Sequence, residues 1–126
     1  MNCLVDTNIL IDYLKGDKKI FNFLLNKKVK IYYSIVTKKE LLQYQGLSTR
    51  QTRTIQQILK TLRPIRKDPH IAEATSSLLA TYKKQRLSIP DAVIAATAWV
   101  KKMPLVTRNV KHFRFIKEIE INTIVA

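Results

Sequence analysis

The sequence predicts an α/β fold, with α/β/α layers around a central, mostly parallel sheet of four or five strands. Short apolar runs rich in β-branched and aromatic residues alternate along the chain with longer stretches of helical period. Strands separated by helices pair in parallel through right-handed crossovers, which leaves helices on both faces of the sheet. No repeat, linker or break in composition interrupts this alternation, so residues 1–126 are expected to form one domain.

Each element has its own signal. Cys3-Leu4-Val5 reads as a buried strand, and Thr7 to Lys15 as a helix with Ile9, Leu10 and Tyr13 on one face and Gly16 ending it. A second helix is expected over Lys18 to Lys27. Lys30 to Ile35 reads as the second strand. Thr37-Lys38-Lys39-Glu40 fits a capping box that opens a helix running through Tyr44, with Gly46 breaking it. Ile55, Ile58, Leu59 and Leu62 mark the next helix, and Arg63 to Arg66 a short edge strand. Asp68-Pro69 is an N-cap followed by proline, and the helix behind it carries Ile71, Thr75, Leu78, Leu79 and Tyr82 on one stripe. Asp91 is expected to open a helix over Ala92 to Val100 that is apolar almost all round and therefore the most buried. Leu105-Val106-Thr107 reads as a third clear strand, and Ile119 to Val125 supplies the last.

Charge narrows the function classes. Lysine and arginine total 23 against 9 acids, a formal net charge of +14. Such an imbalance marks a polyanionic partner, above all nucleic acid, because each phosphate contact releases counterions. An anionic membrane surface would call for a basic amphipathic or lipidated segment, which is not seen. Leu41 to Lys67 holds no acid but contains Arg50, Arg53, Lys60, Arg63, Arg66 and Lys67. Ala92 to Lys117 is also free of acids and contains Lys101, Lys102, Arg108, Lys111, Arg114 and Lys117. A charge run is usually a solvated face, but two such stretches in a small domain favour a phosphate-binding surface. Arg50, Arg53, Lys60, Arg108, Lys111 and Arg114 are its candidate RNA contacts. The single cysteine, Cys3, lies in an apolar run and is expected to be buried. It forms no internal disulfide, which together with the lack of a signal-peptide or spanning pattern points to the cytoplasm.

In an open parallel sheet, sites form beyond the carboxyl ends of the strands. Asp6 follows the first strand, Glu40 lies a turn into the helix after the second, and Asp91 starts the buried helix. Thr107, Arg108 and Asn109 follow the third strand. Each acid has a local explanation: Asp6 and Asp91 as N-caps, Glu40 as the partner of Thr37 in a capping box. Together they put three of only 9 acids at one rim. Crowded carboxylates repel unless a cation offsets them, and a hard cation with oxygen ligands is the natural offset. A divalent ion there would polarise a phosphodiester and activate water.

These residues also carry a family resemblance. Leu4-Val5-Asp6-Thr7-Asn8-Ile9-Leu10-Ile11-Asp12 resembles the opening of PIN-domain proteins, and Ser34 to Leu41 the segment with their second acid. Pro90 to Ala98 is similar to their central acidic motif, and Leu105 to Phe113 to their closing one, in the right order and spacing from the first residues to about Val125. The resemblance implies a PIN fold, a Mg²⁺- or Mn²⁺-dependent endoribonuclease of the VapC toxin type, a VapB-like antitoxin, homodimers, and structured RNAs such as tRNA as substrates. Carried over by position, Asp6, Glu40 and Asp91 would hold the metal, and Thr7, Asn8 and Thr107 would line the pocket. Asn109 stands where many members have a fourth acid, which leaves the second metal position open.

The remaining polar and aromatic residues have plainer readings. Asp12 is expected at an exposed helix position, His70 on the surface, and His112 as a structural or RNA-contacting residue. Trp99 and the Tyr32-Tyr33 pair are expected in the core or a strand. No GxxxxGK[ST], GxGxxG or HExxH pattern is present, which leaves nucleotide-driven enzymes and zinc peptidases unsupported. A phospho-accepting regulatory domain would need paired acids after the first strand and an acceptor aspartate near mid-chain, yet Thr7 follows Asp6 and no acid falls between Glu40 and Asp68. A PIN-like RNA-binding protein without cleavage activity remains open because of the amide at Asn109.

Overall fold

The structure, a computed structural model, describes residues 1–123. Strands β1 (Asn2–Val5), β2 (Lys30–Ser34), β3 (Arg63–Ile65), β4 (Leu105–Val106) and β5 (Ile121–Asn122) form one sheet in the order β3-β2-β1-β4-β5. Every pairing between neighbours is parallel, with Val5 opposite both Tyr33 and Val106. The helices are α1 (Thr7–Leu14), α2 (Lys18–Leu24), α3 (Ile35–Gln43), α4 (Thr49–Thr61), α5 (Pro69–Thr81), α6 (Ile89–Lys101) and α7 (Val110–Phe113).

Alternation along the strands sorts the core into two layers. Cys3, Val5, Ile31, Tyr33 and Val106 pack on one side with Ile9 and Leu10 of α1, Ile20 of α2, Leu41 of α3 and Ile55 of α4. Leu4 and Leu105 pack on the other with Ile71 and Leu78 of α5, Ile94 to Ala96 of α6, and Phe113. Residues 92–98 are buried without interruption, so α6 is the enclosed helix its composition predicts. Pro64, which has no N–H to donate, sits in the edge strand β3, where only one ladder is required of it. Burial pushes the Cys3 thiol up to about 11, as suits an inert core residue. Among the described residues, no helix is long and apolar enough to cross a membrane.

Several boundaries differ from expectation, each for a local reason. Helix α3 starts directly at the end of β2: the Ser34 hydroxyl accepts from the Val36 N–H at 3.2 Å, and Thr37 lies inside the first turn rather than capping it. Ile35 is thus helical, a β-branched residue overruled by the cap. Helix α2 stops at Leu24 instead of Lys27, and the Asn26 side chain then accepts from the Lys28 N–H at 3.0 Å to turn the chain. Helix α6 is capped by Ser88, whose hydroxyl accepts from the Asp91 N–H at 3.2 Å, so Asp91 is not its N-cap. Among the described residues the last strand covers Ile121–Asn122 rather than starting at Ile119, and Ile124 and Val125 lie outside those described.

Candidate active site

Strands β1 and β4 end side by side, so the residues that follow them leave the sheet as neighbours. The Asp6 N–H donates to the Val106 carbonyl at 3.2 Å, and the Thr107 hydroxyl donates to Asp6 Oδ2 at 2.5 Å. The Asn109 N–H in turn donates to the Thr107 hydroxyl oxygen at 2.9 Å. Asp6 Oδ1 caps α1 by accepting from the Ile9 N–H at 3.2 Å. The carboxyl is only 3% exposed. Burial pushes it up to about 6; the Thr107 and Ile9 hydrogen bonds work against that shift, and the charge of Asp91 adds to it.

Strand β2 delivers the second acid through α3. The Thr7 hydroxyl donates to Glu40 Oε1 at 2.6 Å, and its oxygen lies 3.1 Å from that of the fully buried Thr37. Thr37 therefore supports the Thr7–Glu40 contact from beneath. Asp91 comes from the first turn of α6, where an acid complements the helix dipole. Its Oδ2 lies 3.2 Å from Nδ1 of His112, a residue 59% exposed.

Asp6, Glu40, Asp91 and Asn109 line one cleft of about 370 Å³, with Thr7 and Asn8 in its wall. Sequence reasoning brought these residues to one rim, and the structure puts them together. Thr107 is different. Expected in the wall, it is fully buried and holds Asp6 from behind. His112, expected as a structural or RNA-contacting residue, also lines the cleft; it lies in α7, three residues after Asn109.

Arg108, expected on the RNA surface, is tied down. Its guanidinium lies 2.6 Å from Asp17 and 3.2 Å from Asp12, which raises its own pKa and holds the Asp17 carboxyl below the usual range. Asp12 is consequently a partly buried ion-pair partner rather than an exposed helix residue. Arg50, Arg53, Lys60, Lys111 and Arg114 are all exposed. Trp99 and Tyr32 are half-buried at the edges of the core, with the Arg63 guanidinium 5.9 Å from the Tyr32 ring centre.

The donor set suits a hard cation in one respect and departs from expectation in another. A buried Asp6 raised by its surroundings, with the Asp91 carboxylate acting on it across the same cleft, is an arrangement that a positive ion relieves. Among the described residues, however, no three acidic, histidine or cysteine side chains form a group that could hold one metal ion. Asp6, Glu40 and Asp91 thus share a cleft without closing around one point, and Glu40 is engaged by Thr7. Mg²⁺ is typically held by one or two carboxylates, with water and substrate phosphates completing its shell, and that requirement fits.

Fold and site together define a parallel α/β domain with an acidic cleft at the carboxyl edge of its sheet. The chain belongs to the PIN domain family, whose model matches residues 3–118. It is 36% identical over 118 residues to Ribonuclease VapC1 of Methanocaldococcus jannaschii, covering 91% of this chain and 81% of that relative. Ribonuclease VapC10 of Mycobacterium tuberculosis is 29% identical over 121 residues, 93% of this chain and 90% of that one. In structure, the chain is similar to one in a toxin–antitoxin complex from Klebsiella pneumoniae, with a TM-score of 0.77 and 32% identity over 93% of this chain and 94% of the other.

Proposed function

We propose that this protein is an endoribonuclease toxin of a VapBC-like toxin–antitoxin module, a PIN domain over residues 1–126 that hydrolyses RNA phosphodiester bonds with Mg²⁺ or Mn²⁺. The observation that carries the reading is the convergence of Asp6, Glu40 and Asp91 on one cleft in a chain of net charge +14. Relatives named as VapC ribonucleases, and the likeness to a chain of a toxin–antitoxin complex, support the activity and a VapB-like antitoxin as partner.

Asp6 and Asp91 would hold the divalent cation, with Glu40 lining the same cleft. When bound, that ion supplies Lewis-acid polarisation of the phosphodiester and activation of water. The protein's own groups do the positioning. Thr107 fixes the rotamer of Asp6, Thr7 fixes that of Glu40, and the Asn109 and Asn8 side chains offer neutral hydrogen bonds to an RNA strand. Exposed cations attract the polyanion, and a structured RNA such as tRNA is the substrate class the family resemblance implies. The protein is assigned to the cytoplasm as a homodimer, neutralised by an acidic antitoxin segment that covers the rim near Asp6 and Asp91.

The test is cleavage of an end-labelled RNA pool. Mg²⁺ or Mn²⁺ should raise the melting temperature by binding the native state, and excess EDTA should abolish cleavage. Cleavage that survives the chelator would sink the metal assignment. RNA binding without any cleavage would favour the non-cleaving reading that Asn109 suggests. Cells expressing this chain alone should stop growing with fragmented RNA; normal growth with intact RNA would count against a toxin.

A further inference from the structure

A second, smaller groove of about 260 Å³ adjoins the acidic cleft on the far side of Asp91. Ser88, Asp91 and His112 line both, so the two form one continuous path along the surface. The other end of the groove is different in chemistry, with Arg86, Lys111 and Phe115 in its walls.

The cations in this groove are not held in ion pairs of the kind that tie down Lys101 and Arg108. Lys101 is paired with Asp68, and Arg108 with Asp12 and Asp17. Among the described residues, neither Arg86 nor Lys111 has a carboxylate partner, and both are exposed. Their charge is therefore available to a ligand.

The backbone at Arg86 adds a second observation. Its φ is +55°, in the left-handed region. At two other left-handed turns the chain uses its only glycines, Gly16 and Gly46, and among the described residues Lys102 is the one other non-glycine residue in that region. A residue that carries a side chain is uncommon at such a position; Lys102 takes it as the left-handed C-cap of α6, whereas Arg86 takes it in the wall of the groove. Phe115 completes the groove. Its ring is half-buried and held edge-on by Tyr82, with ring centres 5.4 Å apart and planes at 61°. A fixed aromatic wall beside unpaired cations is the combination that holds a single-stranded nucleotide, base against ring and phosphate against charge.

We propose that this groove is the subsite for the nucleotide adjoining the scissile phosphodiester, with Arg86 and Lys111 binding its phosphate and Phe115 packing its base. The assignment rests on the nuclease reading of the neighbouring cleft. It gives the RNA strand a direction, across Asp91 and His112 toward α7.

The experiment uses the full chain and a single-stranded RNA oligonucleotide whose cleavage position has first been mapped with the wild-type protein. Binding is then measured in EDTA as a function of salt for wild type, Arg86→Gly and the double variant Arg86→Gly/Lys111→Gln. Glycine takes the left-handed conformation without strain, so Arg86→Gly removes the cation while preserving the turn, and its melting temperature should not fall. The slope of log K against log[salt] should flatten by about 0.7 for each cation removed. A methylphosphonate at the linkage next to the cut should weaken wild-type binding several-fold and leave the double variant indifferent. Phe115→Leu should weaken binding about five-fold or more with no change of slope. If wild type cleaves RNA but the double variant keeps both its slope and its methylphosphonate sensitivity, the subsite is wrong and the nuclease reading stands. If those are unchanged while binding of poly-glutamate is lost, the groove serves an acidic polypeptide instead. If wild type cleaves no RNA at all, the nuclease reading fails and takes the subsite with it.

Discussion

Asp68 and Asp91 each stand beside a proline at the start of a helix, Asp68 before Pro69 of α5 and Asp91 after Pro90 of α6. Asp68 is consumed locally. Its Oδ1 accepts from the Ile71 N–H at 2.8 Å, and its Oδ2 lies 3.3 Å from Lys101 Nζ at the far end of α6. At the other helix Ser88 takes the capping position, and Asp91 falls in the first turn with its carboxylate directed to the cleft. The residue three positions ahead makes the difference. Ile65 precedes Asp68 at that spacing and cannot cap, whereas Ser88 precedes Asp91 and can. A carboxylate is left for chemistry when a neighbouring hydroxyl satisfies the helix terminus.

Asn substitutions give the sharpest test of this contrast. Asp91→Asn should lower RNA cleavage by about 10²-fold or more, because a charged ligand is lost, while the melting temperature of the metal-free protein holds. Asp68→Asn keeps a side chain that caps equally well and should leave cleavage unchanged. Equal, intact cleavage in both would reduce Asp91 to a structural residue.

Removing the hydroxyl asks whether the cap matters to the site. Ser88→Ala should cost about 1 kcal/mol of stability in denaturant titration, and should lower cleavage as the first turn of α6 loosens around Asp91. Asp68→Ala should destabilise the protein and spare the rate. Loss of activity in both variants in proportion to stability would erase the distinction.

The acids also differ in how they respond to pH. The folded Asp6 carboxyl, at about 6, holds its proton to higher pH than the unfolded value of 3.8. Between those values the folded state binds more protons, so metal-free stability should fall as pH rises from about 4 to about 6. Asp6→Asn should remove that decline, and a wild-type melting temperature with the same pH profile as the variant would contradict it. Asp17 has the opposite sign. Its carboxyl is held low by Arg108, so its contribution is present above the unfolded pKa and is lost as pH falls through the lower folded one. The Asp17→Asn variant should therefore be less stable than wild type near neutral pH, and the two should converge in acid.

The smallest effect expected is electrostatic. Replacing Lys111 and Arg114 by alanine should flatten the salt dependence of RNA binding more than replacing Arg50, Arg53 and Lys60, since Lys111 lies along the path that leaves Asp91. The reverse order would move the RNA surface to α4.

Sequence by itself determined the order along the chain of the strands and of every helix but α7, the burial of α6, the cap at Asp68, and the arrival of Asp6, Glu40, Asp91 and Asn109 at one rim. These follow from hydrophobic period, cap chemistry and the rule that parallel strands end at one edge, all of which act over a few neighbouring residues or on the whole chain alike. Tertiary structure alone decided what each side chain does there. Thr107 meets Asp6 across 101 positions, Arg108 meets Asp17 across 91, and Thr7 meets Glu40 across 33. No local pattern encodes such partners. They exist because Val5 registers beside Val106 and Tyr33 in the sheet, and that register is set by packing both faces of β1 at once.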